Sequence, residues 1–389
     1  MPWKVTEPMS QRLLFIAEWL QHEESIAELC RQYGISRKTA YKWIRRVEQE
    51  GEAGLNERSR VPHHCPHRLD PRKEHEILKL REKHPTWGAR KLRHVLMRDR
   101  PDQTWPVAST IGCLLQRKGL SVPRRQRRRA TPTASQNLTK SNGANDIWTA
   151  DFQGEFVMAN GKRCKPLTIV DDHSRFILRC VGMSGHTGWR SVAPLFEAAF
   201  REYGLPNVIR TDNGPPFAST GLGGLTRLSV WWIKLGIMPE RIQPGHPEQN
   251  GRHERMHRTL KAETAQPPAP NLAAQQRRFL EFMEIFNFER PHEGIEMNTP
   301  AQTYTPSPRC YPRPLVQPED YPHGWMLRKV KDSGRIKWGG VSIHLTDALT
   351  GEYVGLAPSE DDGWWDIYYG PLLVAHFDET SSKIVAVED

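Results

Sequence analysis

The chain has 389 residues, a net charge of +10 and a mean hydropathy of −0.66, with 37% hydrophobic and 26% charged residues. That length is too great for one small domain and predicts roughly two to four. No apolar run approaches the roughly 20 residues of a membrane-spanning helix, and the opening MPWKVTEP lacks an apolar export segment.

Six cysteines stand at Cys30, Cys65, Cys113, Cys164, Cys180 and Cys310, with no CxxC pair. That usage predicts reduced thiols in a cytosolic compartment. Charge is uneven. Residues 1–130 carry 28 Lys and Arg against 15 Asp and Glu, whereas residues 314–389 carry 6 against 13. A basic front half predicts a polyanionic partner, most simply nucleic acid.

In chain order, SIAELCRQYGISRKTAYKWIRRVE (25–48) predicts two helices around a tight turn. Gly34 breaks the first helix and Ser36 caps the second. Ala40, Trp43, Ile44 and Val47 recur at helical spacing. The opposite face carries Arg37, Lys38, Tyr41, Lys42 and Arg45, a basic surface suited to the major groove. This predicts a helix-turn-helix DNA-binding domain over 1–60. HHCPH (63–67) crowds its potential ligands too closely for a zinc site. TWGARKLRHVL and VASTIGCLLQRKGL predict a second such domain over 61–122. A basic linker, 123–144, follows, with Arg124, Arg125, Arg127, Arg128 and Arg129 available to a DNA backbone.

From Ile147 the pattern becomes that of an α/β domain over 145–305. Three strands are expected in IWTADFQGEFVM and KPLTIVDDHSRFILRCVGM. A helix follows in TGWRSVAPLFEAAFREYG, then a strand in NVIRTDNG and a helix in LTRLSVWWIKLGI. A short strand is expected in RIQPG, then a basic helix in HPEQNGRHERMHRTLKAETA and another over about 272–288. A Pro-rich linker, 306–324, leads to strands in 325–389, whose short spacing predicts a small β-barrel.

Three carboxylates stand out. Asp151 lies in the first strand, Asp212 ends the fourth, and Glu248 lies near the start of the basic helix. Together they can meet near strand ends, where open α/β sheets bind ligands. Converging carboxylates repel unless protonated or neutralised, and Mg²⁺ is the natural neutraliser of hard oxygens. Two such ions can activate an attacking oxygen and stabilise a leaving one. The stiff Asn-Gly-Pro-Pro turn would fix Asp212 in place.

Rival residues have simpler readings. Asp171 and Asp172 suit a turn with a salt bridge to Arg175, Trp148 suits the core, and His246 suits a turn. On a continuous helix Glu254 would lie about 240° round from Glu248. Arg252 and Arg255 would share the Glu248 face, with Arg258 and Lys261 extending a basic track.

WTADF, VIRTDNGPPF and GHPEQNGRHERMHRTLK resemble the catalytic core of DDE transposases and retroviral-type integrases. IVDDHSR and FNFERPHEGIEMNTPAQTY resemble recurring segments of the same family. The front helices look more like those of bacterial insertion-sequence transposases, and a retroviral His/Cys zinc module is missing. The resemblance implies a multidomain α/β protein with a ribonuclease-H-like mixed-sheet core. It also implies Mg²⁺ or Mn²⁺ bound by Asp151, Asp212 and Glu248, strand transfer on double-stranded DNA, and a homo-oligomer in the bacterial cytoplasm at the nucleoid. A DNA-binding regulator with an inactive core and a hydrolysis-only metal-dependent nuclease are the alternatives.

Overall fold

The computed structural model describes residues 8–58, 69–121, 138–312 and 321–387. His63 to His67 and the linker arginines Arg124, Arg125, Arg127, Arg128 and Arg129 lie outside the described residues. The chain divides into two compact units, Met1–Leu69 and Asp70–Asp389.

The first unit contains α1 (Pro8–Gln21), α2 (Ile26–Gln32) and α3 (Arg37–Glu50). Ser25 and Glu28 exchange hydrogen bonds in a capping box that starts α2. Gly34 turns the chain at φ +63°, and the Ser36 hydroxyl accepts the Thr39 N–H to start α3. Phe15, Leu29, Ala40, Trp43 and Leu55 fill the core between the helices. The predicted pair of helices is present, and α1 joins it as a third member.

In the second unit, α4 (Pro71–Lys83), α5 (Ala89–Asp99) and α6 (Ala108–Arg117) form the next helical module. Asp70 caps α4 ahead of Pro71. The α/β core follows with β1 (Ile147–Phe152), β2 (Phe156–Val157), β3 (Arg163–Asp171), β4 (Ile177–Met183) and β5 (Val208–Thr211), with β6 (Met238–Arg241) completing the sheet. Its helices are α7 (Trp189–Tyr203), α8 (Arg227–Lys234), α9 (Gly251–Thr264) and α10 (Leu272–Glu284). Strands β1, β3 and β4 pair antiparallel, whereas β1, β5 and β6 pair parallel. This mixed sheet with helices on both faces is the expected ribonuclease-H-like architecture.

Strand alternation sorts the two faces. Trp148, Ala150, Leu167 and Ile169 pack with Phe196, Phe200, Leu228 and Trp232 of α7 and α8. Cys164, Val170 and Cys180 pack on the other side with Met256 and Leu260 of α9 and Phe279 and Phe282 of α10. Trp148 is therefore a core residue.

The C-terminal strands are β7 (Met326–Lys329), β8 (Arg335–Trp338), β9 (Val341–His344), β10 (Tyr353–Pro358), β11 (Trp364–Tyr369), β12 (Leu372–Asp378) and β13 (Lys383–Ala386). They do not form the expected barrel. Among the described residues, the order β13-β12-β11-β10-β7 is an open antiparallel sheet, and β8 pairs only with β9 as a separate hairpin. Closure fails because the two ends of the sheet, β7 and β13, do not pair with each other.

Two further expectations are corrected. The last strand of the core is MPER rather than RIQPG, because β6 takes its register from parallel pairing with β5. Residues 306–312, expected as linker, belong to the core. Ser307 and Arg309 hydrogen-bond the backbone at Tyr203 and Leu205, and Tyr311 packs against the apolar cluster.

Candidate active site

Alternation along β1 points Thr149 and Asp151 to the α9 face, opposite Trp148 and Ala150. Thr168 of β3 is the register partner of Asp151 and joins it there. Above them α9 presents His253 and His257, four residues apart on one helical face. His253 Nδ1 lies 2.7 Å from the Thr149 hydroxyl and its Nε2 2.6 Å from that of Thr168. His257 Nε2 reaches the same Thr168 hydroxyl at 2.7 Å. Burial pushes His253 well below the ordinary histidine range and His257 down to about 4. Both rings are therefore neutral near pH 7. They fasten the helix to the sheet through polar contacts that an apolar-periodicity reading passes over.

Asp151 sits under this helix with little exposure. Asn250 Nδ2 donates to Asp151 Oδ2 at 3.4 Å, and His257 Nδ1 lies 3.8 Å from the same oxygen. Burial raises the Asp151 carboxyl to about 7, and the neighbouring charges of Asp212 and Glu254 add to the rise. A backbone N–H at Phe152 and the Lys165 ammonium oppose it.

Asp212 follows β5 directly, on the strand that pairs parallel with β1. Its turn is anchored by Asn213, whose amide donates to the Ile242 carbonyl at 2.6 Å. A side chain at Gly214 would bring a Cβ within 3.1 Å of Asp212 Oδ2, so glycine keeps the carboxylate's flank open. Asp212 Oδ1 is buried without a hydrogen-bond partner among the described residues.

Glu248 occupies a different position from the one expected. It lies in the 3-10 turn Pro247–Asn250, ahead of α9, so the continuous-helix rotation does not apply to it. Its carboxylate is exposed and accepts from His246 Nδ1 at 2.7 Å, which holds its pKa below the usual range. Glu254 lies within α9 and is one of the charges acting on Asp151. Glu254 and His257 are three residues apart on one face of α9, and His257 and the N-cap residue Asn250 both contact Asp151.

The basic residues divide. Arg252 ion-pairs with Asp172 at 2.6 Å, while Arg255, Arg258 and Lys261 are exposed along α9. Asp172 also pairs with Arg175 at 3.5 Å. Asp171 is buried and accepts from the backbone N–H groups of Asn145 and Ser174. The pair is thus a structural turn. Far along the chain, Arg37, Lys38, Tyr41, Lys42 and Arg45 are all exposed on α3, in the first unit.

Hard oxygen donors, a buried carboxylate oxygen lacking a partner and a carboxyl raised by burial and by its acidic neighbours suit a divalent cation. Among the described residues, no three His, Cys, Asp or Glu side chains are already gathered to hold one.

Comparison with known proteins places family matches along the chain. Residues 11–63 match a helix-turn-helix domain and 39–115 a homeodomain-like domain. Residues 141–247 and 235–300 match the integrase core domain, and 325–385 the C-terminal domain of IS481 family transposases. The chain is similar to an uncharacterized 31.7 kDa protein of insertion element IS407 from Burkholderia multivorans, at 29% identity over 49% of this chain and 66% of that one. It is also similar to an uncharacterized 39.2 kDa protein of insertion element IS476 from Xanthomonas euvesicatoria, at 31% identity over 58% and 62%. The chain thus spans just under two thirds of the length of these relatives. Among solved structures, the HTLV-2 integrase catalytic core domain in complex with magnesium overlaps at TM-score 0.34 and 18% identity, over 43% of this chain and 100% of that one. A simian T-cell lymphotropic virus intasome overlaps at TM-score 0.36 and 18% identity, over 76% and 97%. No helix among the described residues is long and apolar enough to cross a membrane.

Proposed function

With helix-turn-helix modules, an integrase-type core and an IS481-type C-terminal domain in one chain, we propose that this protein is a DNA transposase. It binds the ends of its element, cleaves a strand at each and joins the freed ends to target DNA. The observation that supports this reading is the placement of Asp151 on β1 and of Asp212 just past β5, the parallel neighbour of β1, with the charges of Asp212 and Glu254 both acting on Asp151.

We assign Asp151, Asp212 and Glu254 as the carboxylates that would hold Mg²⁺ or Mn²⁺, with Glu254 in place of Glu248. Bound there, a pair of such ions would activate the attacking oxygen and stabilise the leaving one. The chain's own residues supply position and charge. His253 and His257 hold α9 against β1 and β3, which fixes where Glu254 stands. Asn250 orients the Asp151 carboxylate. The exposed Arg255, Arg258 and Lys261 line the outer side of α9, where a DNA backbone would neutralise them. In the first step a water oxygen displaces the 3′ oxygen of a phosphodiester. In the second, the freed 3′-hydroxyl attacks a target phosphodiester, and each step exchanges one P–O bond for another. Two ends must be handled together, so the working form is a homo-oligomer on DNA in the bacterial nucleoid.

The test uses labelled element-end duplexes with Mg²⁺, scoring binding, cleavage and joining separately. Wild-type protein should do all three, and Asp151→Asn should only bind. Cleavage without joining would leave a nuclease, and binding alone would leave a regulator with an inert core.

A further inference from the structure

We infer that the C-terminal sheet is a positioning element for the active site, because it holds the far end of the loop that carries Asp212. The inference builds on the role proposed for Asp212.

The loop from Asp212 to α8 is pinned at two ends that belong to different cores. Near Asp212, the Asn213 amide bonds the Ile242 carbonyl and Phe217 is buried among α7 and α8 side chains. At the far end, Leu225 is buried in the apolar cluster of the C-terminal sheet, with Val330, Val354, Ile367 and Val374. Between them the loop lies against C-terminal residues. A Cβ at Gly221 would come within 3.2 Å of the Thr346 hydroxyl, and one at Gly223 within 3.5 Å of Val374.

Helix α8 continues the division. Leu228 and Trp232 pack into the catalytic core, whereas Val230 and Ile233 pack into the C-terminal cluster. The seam is closed by an ion pair with little exposure, Lys234 Nζ to Glu352 Oε1 at 2.5 Å, and Tyr369 donates its hydroxyl to the same carboxylate at 3.2 Å. Gly370, at φ +54°, leaves no room for a side chain, since a Cβ there would stand 2.9 Å from Ile233. Two faces of an eight-residue helix thus join two apolar cores, and the loop between them begins at a proposed metal ligand. Interiors this closely packed transmit small displacements.

The test compares full-length Lys234→Glu, Glu352→Lys and their double exchange by hydrogen exchange, end binding and divalent-ion titration of cleavage. Each single reversal should speed amide exchange in 213–225 by about tenfold or more, with the β1 and β3 amides still protected. End binding should persist, and half-maximal cleavage should need more divalent ion. The double exchange should restore all three. Loosening of the C-terminal sheet with 213–225 still protected would overturn the inference. If a reversal unfolds the whole chain, Glu352→Gln supplies the milder perturbation, and an unchanged 213–225 in that variant would overturn it equally. A wild-type protein that never cleaves would sink the proposed function while leaving the exchange result standing.

Discussion

His257 lies with its Nδ1 3.8 Å from Asp151 Oδ2, so α9 is registered against β1 at the carboxylate itself. A neutral ring beside a buried acid offers that acid no compensating charge. Asp151 is thus held at a cost to the fold, and that cost depends on pH.

Asp151→Asn should stabilise the protein at pH 8. The folded carboxyl is raised to about 7 from an ordinary 3.8. Above pH 7 the wild-type fold carries the charge at a penalty, on the order of a few kcal/mol for a shift of that size. Between pH 7 and 4 the folded state binds more protons than the unfolded, so the penalty fades, and below about 4 it is gone. The variant's advantage should shrink along the same window. Urea unfolding of both proteins from pH 4 to 8, without divalent ions, measures it, and a constant difference would contradict the raised carboxyl.

Glu254→Gln should abolish cleavage and joining while end binding survives. Glu248→Gln should stay active, because Glu248 is paired with His246 in the turn before α9, whereas Glu254 is the glutamate whose charge acts on Asp151. The reverse pattern, a dead Glu248→Gln beside an active Glu254→Gln, would return the third carboxylate to the turn before α9.

His253→Ala should destabilise the fold by about 2–4 kcal/mol, since it opens a cavity and leaves buried hydroxyls short of a partner. The ring is 2% exposed and bonded through both nitrogens. Arg258→Ala, on the exposed side of the same helix, should move stability by no more than about 0.5 kcal/mol. Chemical denaturation of the two variants gives the comparison.

The triple variant Arg37→Ala, Lys38→Ala, Lys42→Ala should weaken end binding. All three are exposed on α3, Lys42 with its ammonium 4.4 Å from the centre of the Trp43 ring. Loss confined to the cognate end would indicate base contacts. Loss on every duplex, with a salt slope lower by about 0.9 per contact, would indicate phosphates. Unchanged binding across salt concentrations would remove this face from recognition.

Some of this architecture is written locally. The caps at Ser25 and Ser36, the glycine turn at Gly34 and the apolar spacing in α3 depend on near neighbours, so short-range chemistry specifies them. Alternation likewise puts Trp148 in the core and Asp151 on the opposite face. Asp151 and Asp212 are legible because one sits in a strand and the other just past the end of one, and the residues of each strand mark its ends.

The rest depends on distant partners. Whether Glu248 or Glu254 approaches Asp151 is decided by where α9 begins and how it docks. That docking rests on His253 and His257 meeting threonines of β1 and β3, about a hundred residues away in sequence. Closure of the C-terminal strands depends on edge pairing, which strand propensity does not encode. The position of the C-terminal sheet against α8 is likewise a matter of packing, because Val230 and Ile233 read as ordinary helix core until the second apolar surface is in place. The sequence by itself determines the elements and the acids they carry. Only the tertiary structure decides which acids share a site, because burial and charge act through space.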